Sequence, residues 1–358
     1  MNSREDQLAN LRAFGYTEVE ARFLSIAATH SGYFTVRQFL QFAQARSGKR
    51  NARFVEKLFA QGHVSAQRYL RRSLVYHLCS RQIYAAIGKD YLRNRREHEL
   101  NHIKTRLLAL DFILAHPEDD YFETAEAKRR YFIERFNLKE SLFSPSKEHG
   151  NRISFADRFP LCVAYPSPDY MPVVTFTYVD PEHRNLDAYI AHLRTYRPLF
   201  RQLRSFQFLY ISTASGLQHE AAGLFSLLVE GRGLSDLTPY FDVQTKWNSE
   251  QFRLLTDEDL IFLNEARRLY SGQSFETLYR LWRRNQLPND FRVEASTSHP
   301  PQQKVLFRAL IVPGHEAIFG DGTKRWGDGW QVRGTSVLGK HSASPGARRK
   351  TVQRTIDA

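Results

Sequence analysis

Between residues 17 and 88 the apolar positions recur at helical spacing in three short runs, alternate through two more, and return to helical spacing. The first run, Val19, Phe23, Leu24, Ile26 and Ala27, follows Thr17 and Glu20, a pair able to satisfy each other's free backbone N–H groups as a capping box, and Gly32 closes it. Thr35 and Gln38 repeat the device before Val36, Phe39, Leu40 and Ala43. After the polar link Ser47-Gly48, a third helix is predicted over 49–61. Its inward positions are Ala52, Val55, Leu58 and Phe59, and its outward ones Lys49, Arg50, Asn51, Arg53 and Lys57, with Gly62 as the C-terminal stop. Residues 64–70 and 73–79 alternate on either side of Arg71 and Arg72, the pattern of a β-hairpin with a basic tip. Ser80 then caps a short helix through Ile87, stopped by Gly88. Three helices, a hairpin and a closing helix predict a winged helix-turn-helix over residues 14–90.

Residues 91–142 read as a helical connector, with Leu92, Leu100, Ile103, Leu107, Leu108, Leu110 and Ile113 apolar and a polar interruption at Pro117–Asp120. A joint rich in Ser, Pro and Gly over 143–152 precedes a change of pattern. Strands are predicted over 153–165, 172–179, 206–213 and 305–312. Helices are predicted over 185–203 and 218–230 and after Thr256 and Ser274. The fold class is therefore mixed α/β, with a C-terminal α/β domain over 151–313 and a basic tail, 321–358, whose Gly, Ser, Lys and Arg content predicts disorder.

The charge distribution sharpens this division. Residues 37–106 carry sixteen Lys/Arg against four Asp/Glu, an excess of twelve in a chain whose net charge is +13. A basic face on a small helical module fits a polyanion, because each phosphate neutralised releases a counterion, and double-stranded DNA is the leading partner. On the third helix, Arg suits guanine, Asn suits adenine and Lys suits phosphate. Arg68, Arg71 and Arg72 add a basic hairpin, and Arg93, Arg95 and Arg96 add further charge. The plainer alternatives are a solvated polar face or a winged module that holds a protein, with a homodimer also compatible.

Composition limits the remaining chemistry. The 358 residues suffice for two domains, and 42% apolar with 25% charged residues is ordinary for a soluble globular chain. Cys79 and Cys162 are too few for a disulfide framework or a four-cysteine zinc site, and predict reduced thiols in a cytoplasmic protein. Neither a membrane-spanning run nor an apolar stretch after the first charges is found, so no membrane association and no secretory signal is expected. His98 and His102, four apart on a predicted helix, form a weak zinc-type pair, for which hydrogen-bonded histidines are the commoner outcome. No phosphate-cradling Gly-rich loop lies between a strand and a helix, and no cofactor is expected.

Three places carry a family resemblance. One is the capped start at Thr17 together with Val75-Tyr76-His77-Leu78-Cys79 running into Ser80-Arg81-Gln82-Ile83-Tyr84 and Gly88. Another is Glu99-Leu100-Asn101-His102-Ile103 ahead of a helix through Leu107 to Leu110. The third is an Asp157-Arg158 strand, then a strand ending at Asp180 and a helix with Tyr196. Over residues 15–213 the chain resembles the replication-relaxation family of bacterial plasmid and mobile-element proteins. The resemblance implies a second domain like a restriction-endonuclease, or PD-(D/E)XK, core, often without an intact active site, and a role in replication or transcriptional control. Such nucleases place an Asp on one strand and an acidic-x-Lys triplet on the next, to hold Mg²⁺ and activate water. Asp157 suits the first position, but the next strand has Thr175 and Thr177 where the carboxylate and lysine should stand. An inactive, nuclease-like scaffold is therefore expected, with a metal-dependent nuclease using Asp157 and a relocated Asp180 as the alternative.

Overall fold

A computed structural model describes residues 4–46, 48–68, 74–117, 119–143, 161–165, 172–181, 186–231, 234–284 and 304–312. The hairpin tip with Arg71 and Arg72, the joint and strand around Asp157, and the tail 321–358 lie outside the described residues.

The N-terminal elements are α1 (Arg4–Ala13), α2 (Glu18–His30), β1 (Tyr33–Phe34), α3 (Val36–Phe42), α4 (Lys49–Ala60), β2 (Val64–Arg68), β3 (Leu74–Leu78) and α5 (Arg81–Ala86). Both predicted capping boxes form. Thr17 N–H donates to Glu20 Oε2 at 2.8 Å, and Thr35 N–H to Gln38 Oε1 at 2.9 Å; each return bond, from N3 to the threonine hydroxyl, is 3.3 Å. The strands form an antiparallel sheet in the order β1-β3-β2, with Tyr33 opposite His77 and Val64 opposite Leu78. The two-residue β1 has no periodicity to announce it. It exists because Gly32, at φ +78°, turns the chain out of α2 and brings it alongside β3, where Leu78 N–H donates to Gly32 O at 2.8 Å.

The core of this module is aromatic. Phe39 and Phe54 stack with centroids 4.1 Å apart, and Phe23 meets Phe34 edge-on at 5.3 Å. This corrects the expected inward face of α4. The buried pair is Phe54 and Leu58, one turn apart, whereas Ala52 and Phe59 are exposed and Val55 is half-buried. The ring of Phe54 fills the space between α2 and α3, which rotates the helix and leaves Phe59 at its edge.

The remaining elements are α6 (Leu100–Ala115), β4 (Asp120–Tyr121), α7 (Ala125–Phe136), β5 (Leu161–Ala164), β6 (Val173–Asp180), α8 (Asp187–Gln202), β7 (Ser205–Ser212), α9 (Gln218–Phe225), α10 (Leu234–Asn248), α11 (Asp257–Leu269), α12 (Gln273–Arg283) and β8 (Lys304–Ile311). A π turn over Ser226–Glu230 extends α9. The five strands make one mixed sheet, β4-β5-β6-β7-β8, antiparallel as far as β6 and parallel from β6 to β8. The fold is mixed α/β. Strand alternation splits the side chains between two layers. Leu161, Val163, Phe176, Phe208 and Tyr210 pack beneath α8 to α12, while Cys162, Val179, Leu209, Ile211 and Val312 pack on Leu108, Ala109, Phe112 and Ile113 of α6. The other side of α6 meets the N-terminal module: Ile103 and Leu107 pack with Tyr33 and Val75, and Leu110 joins the core around Phe54. One helix thus serves as a wall for both hydrophobic layers.

Candidate nucleic-acid interface

Helix α4 is anchored from below and free above. Phe54 and Leu58 fix its inner side. At its base, Lys57 Nζ donates to Glu20 Oε2 at 2.7 Å and to Gly15 O at 3.2 Å, so the same carboxylate that caps α2 also ties it to α4. Asn51 Oδ1 accepts from Gly48 N–H at 2.6 Å, which closes the helix start. These two predicted contact residues therefore have structural duties: Lys57 is held by a carboxylate, and only the amide Nδ2 of Asn51 is left by this bond.

Lys49, Arg50 and Arg53 are exposed. Among the described residues no carboxylate lies within ion-pair distance of them, nor of Arg68 at the exposed end of β2. The positive end of the α4 dipole adds to Lys49 and Arg50. Arg50, Arg53 and Lys57 line one side of an open groove of about 560 Å³, with the first turn of α2, Thr17 to Glu20, on the other. Arg46, shortly before α4, is also exposed and was not singled out from the sequence. Its only signal there is membership of the basic stretch.

Other cations of that stretch are consumed internally. Arg37 Nη2 meets Asp111 Oδ2 at 2.7 Å, and Lys89 donates to Thr29 Oγ1 at 3.1 Å and pairs with Glu123. Arg106 donates from Nε to His102 Nε2 and from Nη1 to His30 O, each at 3.1 Å. Arg93 and Arg96 are exposed at a 3-10 turn that packs beside α2 and β3.

The His98 and His102 rings lie parallel, 4.2 Å apart at 8°, so their nitrogen lone pairs run side by side instead of converging on a metal. Burial, then the Arg106 guanidinium and His98, push the His102 imidazole down to about 4, which keeps Nε2 an acceptor for Arg106. Among the described residues no group of three His, Cys, Asp or Glu side chains is placed to hold a metal ion.

In the second sheet, Asp180 is 6% exposed, and Tyr210 donates its hydroxyl to Asp180 Oδ2. Thr175 and Thr177, 7% and 0% exposed, face the layer of α6, opposite to Asp180 by strand alternation. The relocated carboxylate and the triplet positions thus lie on different sides of β6. Among the described residues no helix is long and apolar enough to cross a membrane. Comparison with protein-family models, with characterised proteins and with solved structures finds no match for this chain.

Proposed function

We propose that this chain is a sequence-specific double-stranded-DNA-binding protein whose N-terminal part works as a winged helix-turn-helix. The observation that carries the reading is the set of exposed cations on and around α4, Lys49, Arg50, Arg53 and Arg68, left without carboxylate partners while Arg37, Lys57 and Lys89 are paired. A cation held by a carboxylate gains little from a phosphate; an unpaired one exchanges its counterions for it. In this reading α4 enters the major groove with Arg50 and Arg53 toward base edges, and Lys49, Arg68 and the hairpin tip hold the backbone. The element order helix, short strand, helix, helix, two-stranded hairpin supports it.

The resemblance to the replication-relaxation family extends the proposal to replication or transcriptional control of a plasmid or mobile element, in the cytoplasm. The second sheet is then a nuclease-like scaffold that binds or positions without cutting. The opposed placement of Asp180 and of Thr175 and Thr177 favours that over cleavage.

Selection of bound fragments from a pool of random duplex, followed by sequencing, tests the proposal. An enriched common motif, whose binding weakens in Arg50→Ala and Arg53→Ala, is the expected result. Failure to retain any duplex at low salt would overturn it.

A further inference from the structure

We propose that α11 is a dimerisation helix, and that what covers it is α11 of a second copy, running antiparallel across a two-fold axis. Helix α11 packs into its own subunit through Leu263 and Ala266, both 2% exposed. Its opposite side is a ridge of Asp257, Ile261, Asn264 and Arg268, spaced four, three and four residues apart and open to solvent. Ile261 is 63% exposed there and Leu260 40%, and the apolar surface continues onto Phe252 and Leu254 before the helix and Leu269 at its end.

The charges are arranged by end. Asp257 and Glu258 occupy the first turn of α11, and Arg267 and Arg268 the last. Among the described residues Asp257, Glu258 and Arg268 have no ion-pair partner. Arg267 is turned back onto α10, over the Trp247 ring at 5.2 Å and donating to Gln244 Oε1 at 3.2 Å, which leaves Arg268 as the outward base of the last turn.

An antiparallel pair with its dyad between positions 262 and 263 brings Asp257 of one copy opposite Arg268 of the other. Ile261 falls opposite Asn264 next to the dyad. Two-fold symmetry repeats every contact, as a self-complementary patch requires. A parallel pair of the same helices would set acid against acid and base against base. The Asp257–Arg268 complementarity therefore suits a second copy in the antiparallel direction and not in the parallel one. A single helix pair with its flanking turn lies at the small end of stable interfaces, so the dimer should dissociate in roughly the micromolar range. None of this depends on the DNA-binding reading, since α11 lies outside the basic module.

Sedimentation equilibrium of the full chain over a wide concentration series tests the proposal. The parent should dimerise. Arg268→Glu and Asp257→Arg should each raise the dissociation constant at least about tenfold by opposing like charges, and Ile261→Glu should do the same. The double variant Asp257→Arg with Arg268→Glu reverses both symmetry-related Asp257–Arg268 pairs and should dimerise like the parent, a rescue that a misfolded single variant would not show. A parent that stays monomeric at every concentration, a dimer indifferent to Arg268→Glu, or a double variant that remains monomeric would each overturn it.

Discussion

Helices α4 and α6 are both rich in polar groups and both touch the N-terminal core, yet they use those groups in opposite ways. Along α6, Asp111 is taken by Arg37, the Leu107 carbonyl accepts from buried Gln38 at 2.8 Å, and Arg106 is divided between His102 and His30. Along α4, Lys57 and Asn51 are spent at the base and start of the helix, and Lys49, Arg50 and Arg53 face outward. Net charge cannot separate these cases. The carboxylates that hold Lys57, Arg37 and Lys89 come from beyond the ends of the basic stretch, Glu20 on one side and Asp111 and Glu123 on the other, and within it Asp90 reaches only the exposed Arg81, at 3.8 Å. A cation's role is therefore set by which distant acid the fold brings to it.

The fold-holding side of this contrast should break hardest at Gly32. A Cβ there would stand 2.2 Å from the Asn94 backbone oxygen, and φ +78° is a conformation that L side chains avoid. Asn94 cannot readily retreat, since its Nδ2 donates to Ala28 O at 3.0 Å and Thr29 O at 2.7 Å. Gly32→Ala should cost about 3 kcal/mol or more in denaturant unfolding. A loss below about 1 kcal/mol would show that this turn yields.

A sharper test of the contrast compares three substitutions by two measurements. Asp111→Ala leaves Arg37 without its charge-assisted partner and should lower stability by about 2 kcal/mol with DNA affinity unchanged. Arg50→Ala and Arg53→Ala should do the reverse, weakening duplex binding by about 1–3 kcal/mol each with no shift in Tm. If Arg53→Ala lowered Tm as much as Asp111→Ala, the division between inward and outward cations would fail.

The histidines beside α6 add a smaller effect with a defined sign. His102 is held neutral in the fold, down to about 4, whereas the unfolded chain takes up the proton near 6.5. Its contribution is complete above pH 6.5 and is lost as the pH falls toward about 4. His30, pushed down to about 3 by burial and then by Lys89, Arg106 and Lys128, acts in the same direction. Tm should therefore fall between pH 7 and pH 5, and His102→Gln, which keeps an acceptor for Arg106, should flatten the fall. An equal slope in that variant would remove His102 from the linkage.

What could be read from the chain follows from the range of the interactions. Capping boxes at Thr17 and Thr35 and the hairpin alternation are local, so residue spacing reveals them. Strand β1 depends on Gly32 and a partner more than forty residues away, and two residues carry no period. Phe54 sits between Arg53 and Val55 in a run where either face of α4 could be apolar, and only the packing of Phe39 decides. Helix α10 was hidden by Pro239 within it, although Leu237, Tyr240 and Phe241 have helical spacing and are buried. For the site, residue types suggested α4 and its outward cations, but the pairing of Lys57 with Glu20 required the three-dimensional approach of α2.

The smallest expected effect concerns Arg68, the last residue of β2 and an exposed cation at the foot of the hairpin. On the proposed DNA-binding reading its position beyond the core suits a phosphate better than a base edge, because a base contact would need the side chain inside the groove that α4 is proposed to enter. Loss of one phosphate contact removes one counterion-release term, so Arg68→Ala should weaken binding to every duplex alike. It should also reduce the slope of log affinity against log salt by about one unit. Arg50→Ala, in contrast, should weaken the selected site more than random duplex. Titrations of both variants on both duplexes across a salt series check this. A sequence-dependent loss in Arg68→Ala would move that residue into the groove, and equal behaviour of the two variants would erase the distinction between reading and holding on this surface.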